Sequence, residues 1–270
     1  MTVAGGGRRL EHLAGTRRRS GPAKSRWRPS SAGADAWKRE TDDESWLHER
    51  TPSLVREALQ QAFLFPLART IARPAVTGAD DLLHVPQPAL LAPNHSSDID
   101  TPLVLAALPR VWRARTVVGA ASDRFYRNRK IALATTLWIN TFPFDRSGEL
   151  RGLGRAAVFL REGYNLLLYP QGGRSYGQLD GFRTGVGRLC VATGVPLVPI
   201  HVGGTSVLMP KGRGLERRGR TTIQFGRPLF PGEGEAASEF VERASVAVAD
   251  LAANSVRLHR LQPGHSLRFN

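Results

Sequence analysis

Cysteine is almost absent from this chain of 270 residues. Cys190 is the only one, and a single thiol excludes an internal disulfide framework and a metal site built from cysteines. It lies in the segment VGRLCVATG, which has the apolar spacing of a helix. These features fit a protein of the cytoplasm, where thiols remain reduced.

Long apolar runs are also missing. A helix that spans a bilayer needs about 20 consecutive apolar residues, whereas the strongest candidate, 53–73, is interrupted by charges and by Pro66. Its apolar residues recur at helical spacing, which predicts one amphipathic helix with a kink or two short helices. Such a segment either covers the core of a soluble domain or lies in a membrane interface. No apolar segment follows the paired arginines Arg8 and Arg9, so an export signal is not expected.

Lysine is scarce as well, although the chain is strongly basic. The formal net charge is +15, and 34 of the 38 basic residues are arginine. Ten basic and three acidic residues lie in the first forty positions, so nearly half of the excess charge belongs there. Residues 1–45 lack apolar periodicity and are predicted to form a disordered basic tail. Basic chains favour nucleic acid, anionic membranes or phosphorylated substrates, but no nucleic-acid-binding module is recognisable, and nucleic acid is not an expected partner.

After Arg73 the chain alternates short apolar segments with helical ones. This alternation predicts an α/β fold, with a mixed, largely parallel sheet that is covered by helices. The organisation that follows is an amphipathic helical segment over 46–73, one domain over 74–256 and a C-terminal tail over 257–270. Strands are predicted at 88–93, 114–121, 165–170, 195–204 and 221–229, and helices from Pro102 and over 122–138, 149–163, 182–194 and 235–256.

The first of these strands runs into the loop PNHSSDIDTP. Pro102 suits the first turn of the next helix, with Thr101 as its cap, so His95 lies at the carboxyl end of a strand, where ligands bind in open α/β sheets. A nearby carboxylate can fix the tautomer of a histidine through one ring nitrogen while the other nitrogen takes a proton from a hydroxyl. Both Asp98 and Asp100 are close enough in sequence for this role.

Two further turns carry arginine after an apolar strand. NTFPFDRSG places Arg146 in a turn, and YPQGGRS does the same for Arg174. Each arginine is either a solvated surface charge or a planar fork for a bound phosphate. Other glycine motifs lack the right context: GLGRAA, at 152–157, lies within a helical stretch and is not preceded by a strand, and YPQGGRS lacks the lysine of a P-loop.

These motifs occur in an order and at intervals that resemble the glycerol-phosphate and lysophospholipid acyltransferase superfamily, of the 1-acyl-glycerol-3-phosphate acyltransferase type. The resemblance covers roughly residues 88–205, with weaker similarity to 235. The NH-x4-D segment corresponds to the family's first block, FPFDRSG to the second, GGRS to the third, usually written EGTRS, and VPLVPIHVGGT to the fourth.

The resemblance implies an O-acyltransferase that moves a fatty acyl group from coenzyme A or acyl carrier protein to the hydroxyl of a lysophospholipid such as 1-acyl-glycerol-3-phosphate. His95 would be the base and Asp100, preferred to Asp98 on the family spacing, its orienting carboxylate. No metal and no bound cofactor are expected beyond the carrier of the acyl donor. The residues implied to bind substrate are Asn94, Arg146, Gly172, Arg174 and Ser175.

Two departures from the third block leave an alternative open. Gln171 stands where the family usually has glutamate, and Gly173 where it has threonine, so the chain is alternatively a lipid- or acyl-binding homologue with little or no activity.

Because lysophospholipids reside in bilayers, the resemblance also favours the interfacial interpretation of 53–73, whose arginines are Arg56, Arg69 and Arg73. We therefore expect a peripheral protein at the inner face of the cell membrane.

Overall fold

The computed structural model describes residues 50–144, 149–174 and 181–261. The predicted basic tail over 1–45 lies outside these ranges and stays a prediction. The last helix continues to Leu261, beyond the end at 256 that was predicted from the apolar pattern.

Helices and strands alternate along the described residues, as the sequence predicts. The helices are α1 (Arg50–Leu59), α2 (Phe65–Ala72), α3 (Asp100–Ala107), α4 (Arg110–Arg113), α5 (Ser122–Phe125), α6 (Arg129–Ile139), α7 (Glu149–Arg161), α8 (Gly185–Thr193), α9 (Thr205–Leu208) and α10 (Ala237–Leu261), with a π-helical turn at Gln60–Leu64 and a 3₁₀ turn at Asp80–His84. The strands are β1 (Pro74–Thr77), β2 (Leu90–Pro93), β3 (Thr116–Ala121), β4 (Thr141–Phe144), β5 (Asn165–Leu167), β6 (Leu197–Gly203) and β7 (Thr221–Phe225).

The strands form one sheet in the order β1-β7-β6-β2-β5-β3-β4. The pairs from β6 to β4 are all parallel, β7 is antiparallel to β6, and β1 is parallel to β7. The prediction of a mixed, largely parallel sheet is thus confirmed. β1 was missed because it is short and three of its four residues are exposed, so it has no apolar pattern to detect.

Helices cover both faces of the sheet, and this explains why its inner strands are continuously apolar. Neighbouring residues of one strand contribute to different cores, since successive side chains point to opposite faces. In β2, Leu91 belongs to the core beneath α2 and α3, whereas Leu90 belongs to the core beneath α7, α8 and α10. Leu167 and Leu166 of β5 divide in the same way.

The N-terminal helical segment is continuous across Pro66, with a π-helical turn in front of it. Proline has no N–H and its ring clashes with the carbonyl four residues earlier, so a regular α-helix cannot continue unchanged through this position. The segment thus consists of two short α-helices, α1 and α2, which a π-helical turn joins without interruption. Phe65 and Ala68 pack into the core, while Phe63 and Leu67 remain largely exposed. None of the described helices is long and apolar enough to cross a membrane.

The cap predicted for the helix after His95 is wrong. α3 begins at Asp100 rather than after Thr101, and its N-terminus has no side-chain cap. The hydroxyl of Thr101, which now lies inside the first turn, contacts the Tyr169 hydroxyl at 2.7 Å instead. The reason is that Asp100 folds back on its own loop, so that the turn before the helix is organised by its carboxylate.

Candidate active site

The carboxyl ends of the parallel strands meet at one edge of the sheet, and the sequence motifs meet there with them. β2 lies between β5 and β6. The loop that carries His95 follows β2, the turn that carries Gly172 and Arg174 follows β5, and Thr205 follows β6. Three segments that are far apart in sequence are therefore neighbours in space.

His95 and Asp100 are in direct contact. His95 Nδ1 lies 2.9 Å from Asp100 Oδ2. With Nδ1 donating to the carboxylate, Nε2 carries the lone pair and is the nitrogen that can accept a proton. The structure thus pairs His95 with Asp100 and not with Asp98, whose carboxylate contacts arginines instead.

Asp100 is fully buried and receives several other hydrogen bonds. The backbone N–H groups of Ser96 and Ser97 donate to Oδ2 at 2.7 and 2.8 Å, and the hydroxyl of Thr205 donates to Oδ1 at 2.6 Å. A buried carboxylate is stable only when its oxygens are hydrogen-bonded in this manner. Asp100 therefore holds the loop and the imidazole together, and Thr205 links both to the end of β6.

Tyr169 stacks on the imidazole of His95. The ring centroids are 3.9 Å apart and the planes are inclined by 23°. Burial, reinforced by the nearby Asp100 carboxylate, raises the pKa of the Tyr169 phenol well above its usual value, so the ring stays neutral. With Asp100 at one edge and Tyr169 on one face, the orientation of the imidazole is fixed.

Gln171 binds the backbone of the histidine. Its Oε1 accepts a hydrogen bond from the His95 N–H at 2.8 Å. The acceptor at this position is thus an amide oxygen. The hydrogen bond does not need the charge of a carboxylate. Next to it, Gly172 has a φ of 72°, and a Cβ there would lie 2.6 Å from Arg183 Nε. The left-handed φ favours glycine, and a larger residue would also have to displace the Arg183 side chain.

Arg174 contacts a carboxylate on the same side of the site. Its Nη1 donates to Asp98 Oδ2 at 2.6 Å, and Arg124 donates to the same carboxylate through Nη1 and Nη2 at 3.1 and 3.2 Å. Arg174 is thus not the solvated surface charge that was its alternative, since its side chain is only 13% exposed.

The amide of Asn94 bonds to the backbone of Val202. Nδ2 donates to the carbonyl at 2.9 Å, and Oδ1 accepts from the N–H at 2.7 Å. These bonds extend the ladder between β2 and β6 by one residue past Pro93. They place the His95 loop relative to β6; a contact of Asn94 with substrate stays a prediction. Arg146 and Ser175 lie outside the described residues, so their predicted contacts stay predictions as well.

A cavity of about 450 Å³ opens beside His95. Its lining combines charged and apolar side chains. The charged residues are Asp98, Arg124, Arg174, Arg183 and Lys211, and the apolar residues include Val118, Ala120, Ile139, Leu153, Leu168 and Val186. Cys190 is buried in the core, and burial raises the pKa of its thiol. Within the described ranges, no cluster of His, Cys, Asp and Glu is suited to a metal ion.

Sequence reasoning missed several residues of the site. Tyr169, Thr205 and Arg124 each follow directly, or within a few residues, the end of a parallel strand. Their positions at strand ends were the available signal, but strand order, which brings them together, was not readable from the sequence. Lys211 lies further along the chain and carried no signal.

A His–Asp pair beside a cavity with arginine in its wall can act as a general base toward a bound hydroxyl. The acyltransferase family model matches residues 73–203. Residues 73–203 thus resemble the acyltransferase family, and the relatives described next agree with this likeness.

Three known proteins illustrate the likeness. The chain is 27% identical over 176 residues to a 1-acyl-sn-glycerol-3-phosphate acyltransferase of Chlamydomonas reinhardtii, covering 64% of this chain and 51% of the other. It is 29% identical over 159 residues to the chloroplastic enzyme LPAT1 of Arabidopsis thaliana, covering 57% and 43%. The chain thus spans about half the length of these relatives. The crystal structure of PlsC from Thermotoga maritima shares the fold, with a TM-score of 0.57 at 21% identity over 74% of this chain and 82% of that one.

Proposed function

We propose that this chain is an O-acyltransferase that acylates the free hydroxyl of a lysophospholipid such as 1-acyl-glycerol-3-phosphate, in phospholipid synthesis or remodelling. The observation that carries the proposal is the His95–Asp100 contact of 2.9 Å at the wall of a cavity lined by charged and apolar side chains. Such a cavity can hold both substrates, because the acceptor bears a phosphate and the donor bears a fatty chain.

The chemistry follows from the geometry of the pair. His95 Nε2 takes the proton of the acceptor hydroxyl while Asp100 stabilises the imidazolium that forms. The acceptor oxygen attacks the thioester carbonyl, the new C–O bond forms and the C–S bond breaks. The imidazolium then returns its proton to the departing thiolate. The products are an ester and a free thiol, and the enzyme is restored.

Arginines would place the acceptor. Arg174, at the cavity wall, and Arg146 would bind the phosphate through their planar forks, and Gly172 and Ser175 would shape the turn around it. Asn94 would act by holding the histidine loop against β6, as its two bonds to Val202 indicate.

The donor is a thioester carried by coenzyme A or acyl carrier protein, and its fatty chain would lie against the apolar side chains of the cavity. Gly119 of β3 lines the cavity, and a Cβ there would be 2.3 Å from Leu168 Cδ2. The carrier is a co-substrate in this reaction, and no bound cofactor takes part in the steps described above.

The acceptor resides in a bilayer, so we propose peripheral docking at the inner face of the cell membrane, through the helical segment 50–72. Its exposed apolar residues Phe63 and Leu67 support this proposal. Arg56 does not contribute to surface attraction, contrary to expectation, because it is buried and donates to the Thr136 carbonyl. That burial also lowers the pKa of Arg56 to about 10.

The test is acyl transfer from acyl-coenzyme A to lysophosphatidate by the native protein and by His95→Ala. Loss of a general base typically lowers turnover by about 10²- to 10⁴-fold, and we expect a loss of this order. His84→Ala, which changes an exposed histidine of the same domain, is the matched control and should retain turnover. Lipid binding by the native protein without turnover on any lysolipid would instead identify a binding homologue.

A further inference from the structure

Asp98 lies between two guanidinium groups on the solvent side of the cavity. Its Oδ2 accepts from Arg174 Nη1 at 2.6 Å and from Arg124 Nη2 at 3.2 Å, while Oδ1 accepts from Arg124 Nη1 at 3.1 Å. The side chain of Asp98 is 38% exposed, whereas that of Arg174 is 13% exposed. Two arginines, one from α5 and one from the turn after β5, therefore converge on one anionic group.

This cluster belongs to the cavity that contains His95. Asp98, Arg124 and Arg174 line the same cavity as the histidine, together with Lys211. Lys211 also donates to the backbone carbonyl of Arg174 at 3.2 Å, which ties the turn after β5 to this wall. An anion held by the two arginines would thus lie in the space where the acceptor hydroxyl must approach His95.

A carboxylate and a phosphate bind to arginine in the same way. Both accept parallel hydrogen bonds from the planar fork of a guanidinium. Asp98 and an incoming phosphate therefore compete for the same donors, and they repel each other as like charges at short distance. The repulsion is larger for a phosphomonoester, which is a dianion near neutral pH, than for a monoanionic phosphodiester.

We propose that Arg124 and Arg174 together bind the phosphate of the acceptor, and that Asp98 occupies this site until the phosphate displaces it. The inference rests on the proposed function and extends it, because it adds Arg124 to the acceptor site and makes Asp98 a determinant of acceptor charge. By competing for the arginines, Asp98 weakens the binding of phosphate-bearing acceptors, and of phosphomonoesters most.

Steady-state kinetics with lysophosphatidate tests both residues. Arg124→Gln should raise the KM for lysophosphatidate about tenfold, as expected for loss of a charged hydrogen bond, and leave the KM for acyl-coenzyme A unchanged. Asp98→Asn should lower the KM for lysophosphatidate about threefold, the scale of a partly exposed ion pair. The decrease should be smaller with a lysophosphodiester acceptor.

Control variants separate this effect from damage to the fold. Arg127→Gln removes an exposed arginine three residues from Arg124 that does not line the cavity, and it should leave every kinetic constant unchanged. Arg124→Lys restores the charge and should recover part of the affinity. A higher KM for lysophosphatidate in Asp98→Asn would mean that Asp98 positions the arginines for binding, and the proposal would be wrong. An unchanged acceptor KM in Arg124→Gln would also overturn it.

Binding of glycerol 3-phosphate, a soluble phosphomonoester, separates this proposal from the proposed function because it needs no turnover. Titrations followed by NMR should show tighter binding to Asp98→Asn and weaker binding to Arg124→Gln than to the native protein. If these changes in affinity occur but no variant or native protein transfers an acyl group, the proposed function fails and the phosphate site stands. If acyl transfer occurs but the affinities do not change, the phosphate site alone is refuted.

Discussion

Asp100 shows how much of the candidate site depends on one side chain. Its carboxylate receives the His95 imidazole, two backbone N–H groups and the Thr205 hydroxyl. Because it is buried, each of these bonds has to be present for the charge to be tolerated. The residue that orients the base is therefore also the residue that folds its loop.

Tyr169 is expected to act as a positioning residue for His95. Tyr169→Leu removes the stacked ring, and since aromatic pairs contribute about 0.5–1.5 kcal/mol, we expect kcat to fall by up to about tenfold. Tyr169→Phe keeps the ring and loses only the bond to Thr101, so it should stay close to native. The measurement is kcat with lysophosphatidate and its pH profile. A Phe variant as slow as the Leu variant would assign the effect to the hydroxyl instead.

Gln171 is the residue at which the chain departs from the family's third block. Gln171→Glu keeps an acceptor oxygen for the His95 N–H and makes the bond charge-assisted, which is roughly twice as strong, so we expect turnover on lysophosphatidate to rise. Gln171→Leu leaves that N–H without this acceptor, and turnover should fall. Both are measured as kcat with lysophosphatidate. A clear decrease in the Glu variant would mean that the glutamine is adapted to another acceptor.

At the scale of elements, the distance between packed helices determines which substitutions the fold tolerates. α8 packs on α10 at Gly187, where a Cβ would lie 2.3 Å from the Ala237 carbonyl oxygen and 2.6 Å from Val241 Cγ2. In α7, by contrast, a Cβ at Gly154 would meet nothing within 4 Å. The two glycines look alike in sequence, since both lie inside apolar helical patterns.

We expect opposite effects of alanine at these two positions. Gly187→Ala overpacks the helix contact and should lower the free energy of unfolding by about 1–3 kcal/mol. Gly154→Ala, the matched control, should raise it by about 0.5–1 kcal/mol through helix propensity. Chemical denaturation of both variants measures the change. Destabilisation by Gly154→Ala would show that the helix is packed more closely than this structure describes.

The N-terminal segment 50–72 is the element on which the proposed membrane contact depends. Phe63 and Leu67 are 61% and 60% exposed and lie four residues apart, although their neighbours Phe65 and Ala68 are buried. The helix thus contributes one set of residues to the core of the domain and presents another set to its surroundings. The buried residues show that the segment covers the core, whereas the interfacial role of the exposed residues stays a prediction.

At the scale of the whole molecule, docking should require these exposed residues. Replacing Phe63 and Leu67 together by aspartate should weaken binding to anionic phospholipid vesicles by at least about tenfold, since burying each side chain is worth about 1.5–3 kcal/mol. Val246→Asp, at a 54% exposed position of α10, is the control and should bind as the native protein does. Co-sedimentation with vesicles measures both. Equal binding of all three proteins would exclude this segment as the docking element.

The basic composition also acts at the scale of the whole molecule. The net charge of +15 includes exposed arginines such as Arg69 and Arg73 and arginines that line the cavity. The two groups have different consequences, because charges in a cavity select a ligand whereas exposed charges are screened by salt within about 10 Å. The total charge is therefore a poor guide to the partner of this protein.

The fold class could be predicted from the sequence, because alternating apolar periods report which segments are strands and which are helices, and short-range motifs pointed to His95, Asp100 and Arg174. The preference for Asp100 over Asp98 rested on the family spacing alone, and the sequence could not detect β1 or reveal Tyr169, Thr205 and Arg124 as neighbours of the histidine. These features became visible in the folded chain. The order of strands in a sheet is set by packing between segments distant in the chain, and the ends of β2, β3, β5 and β6 meet only after that packing is complete.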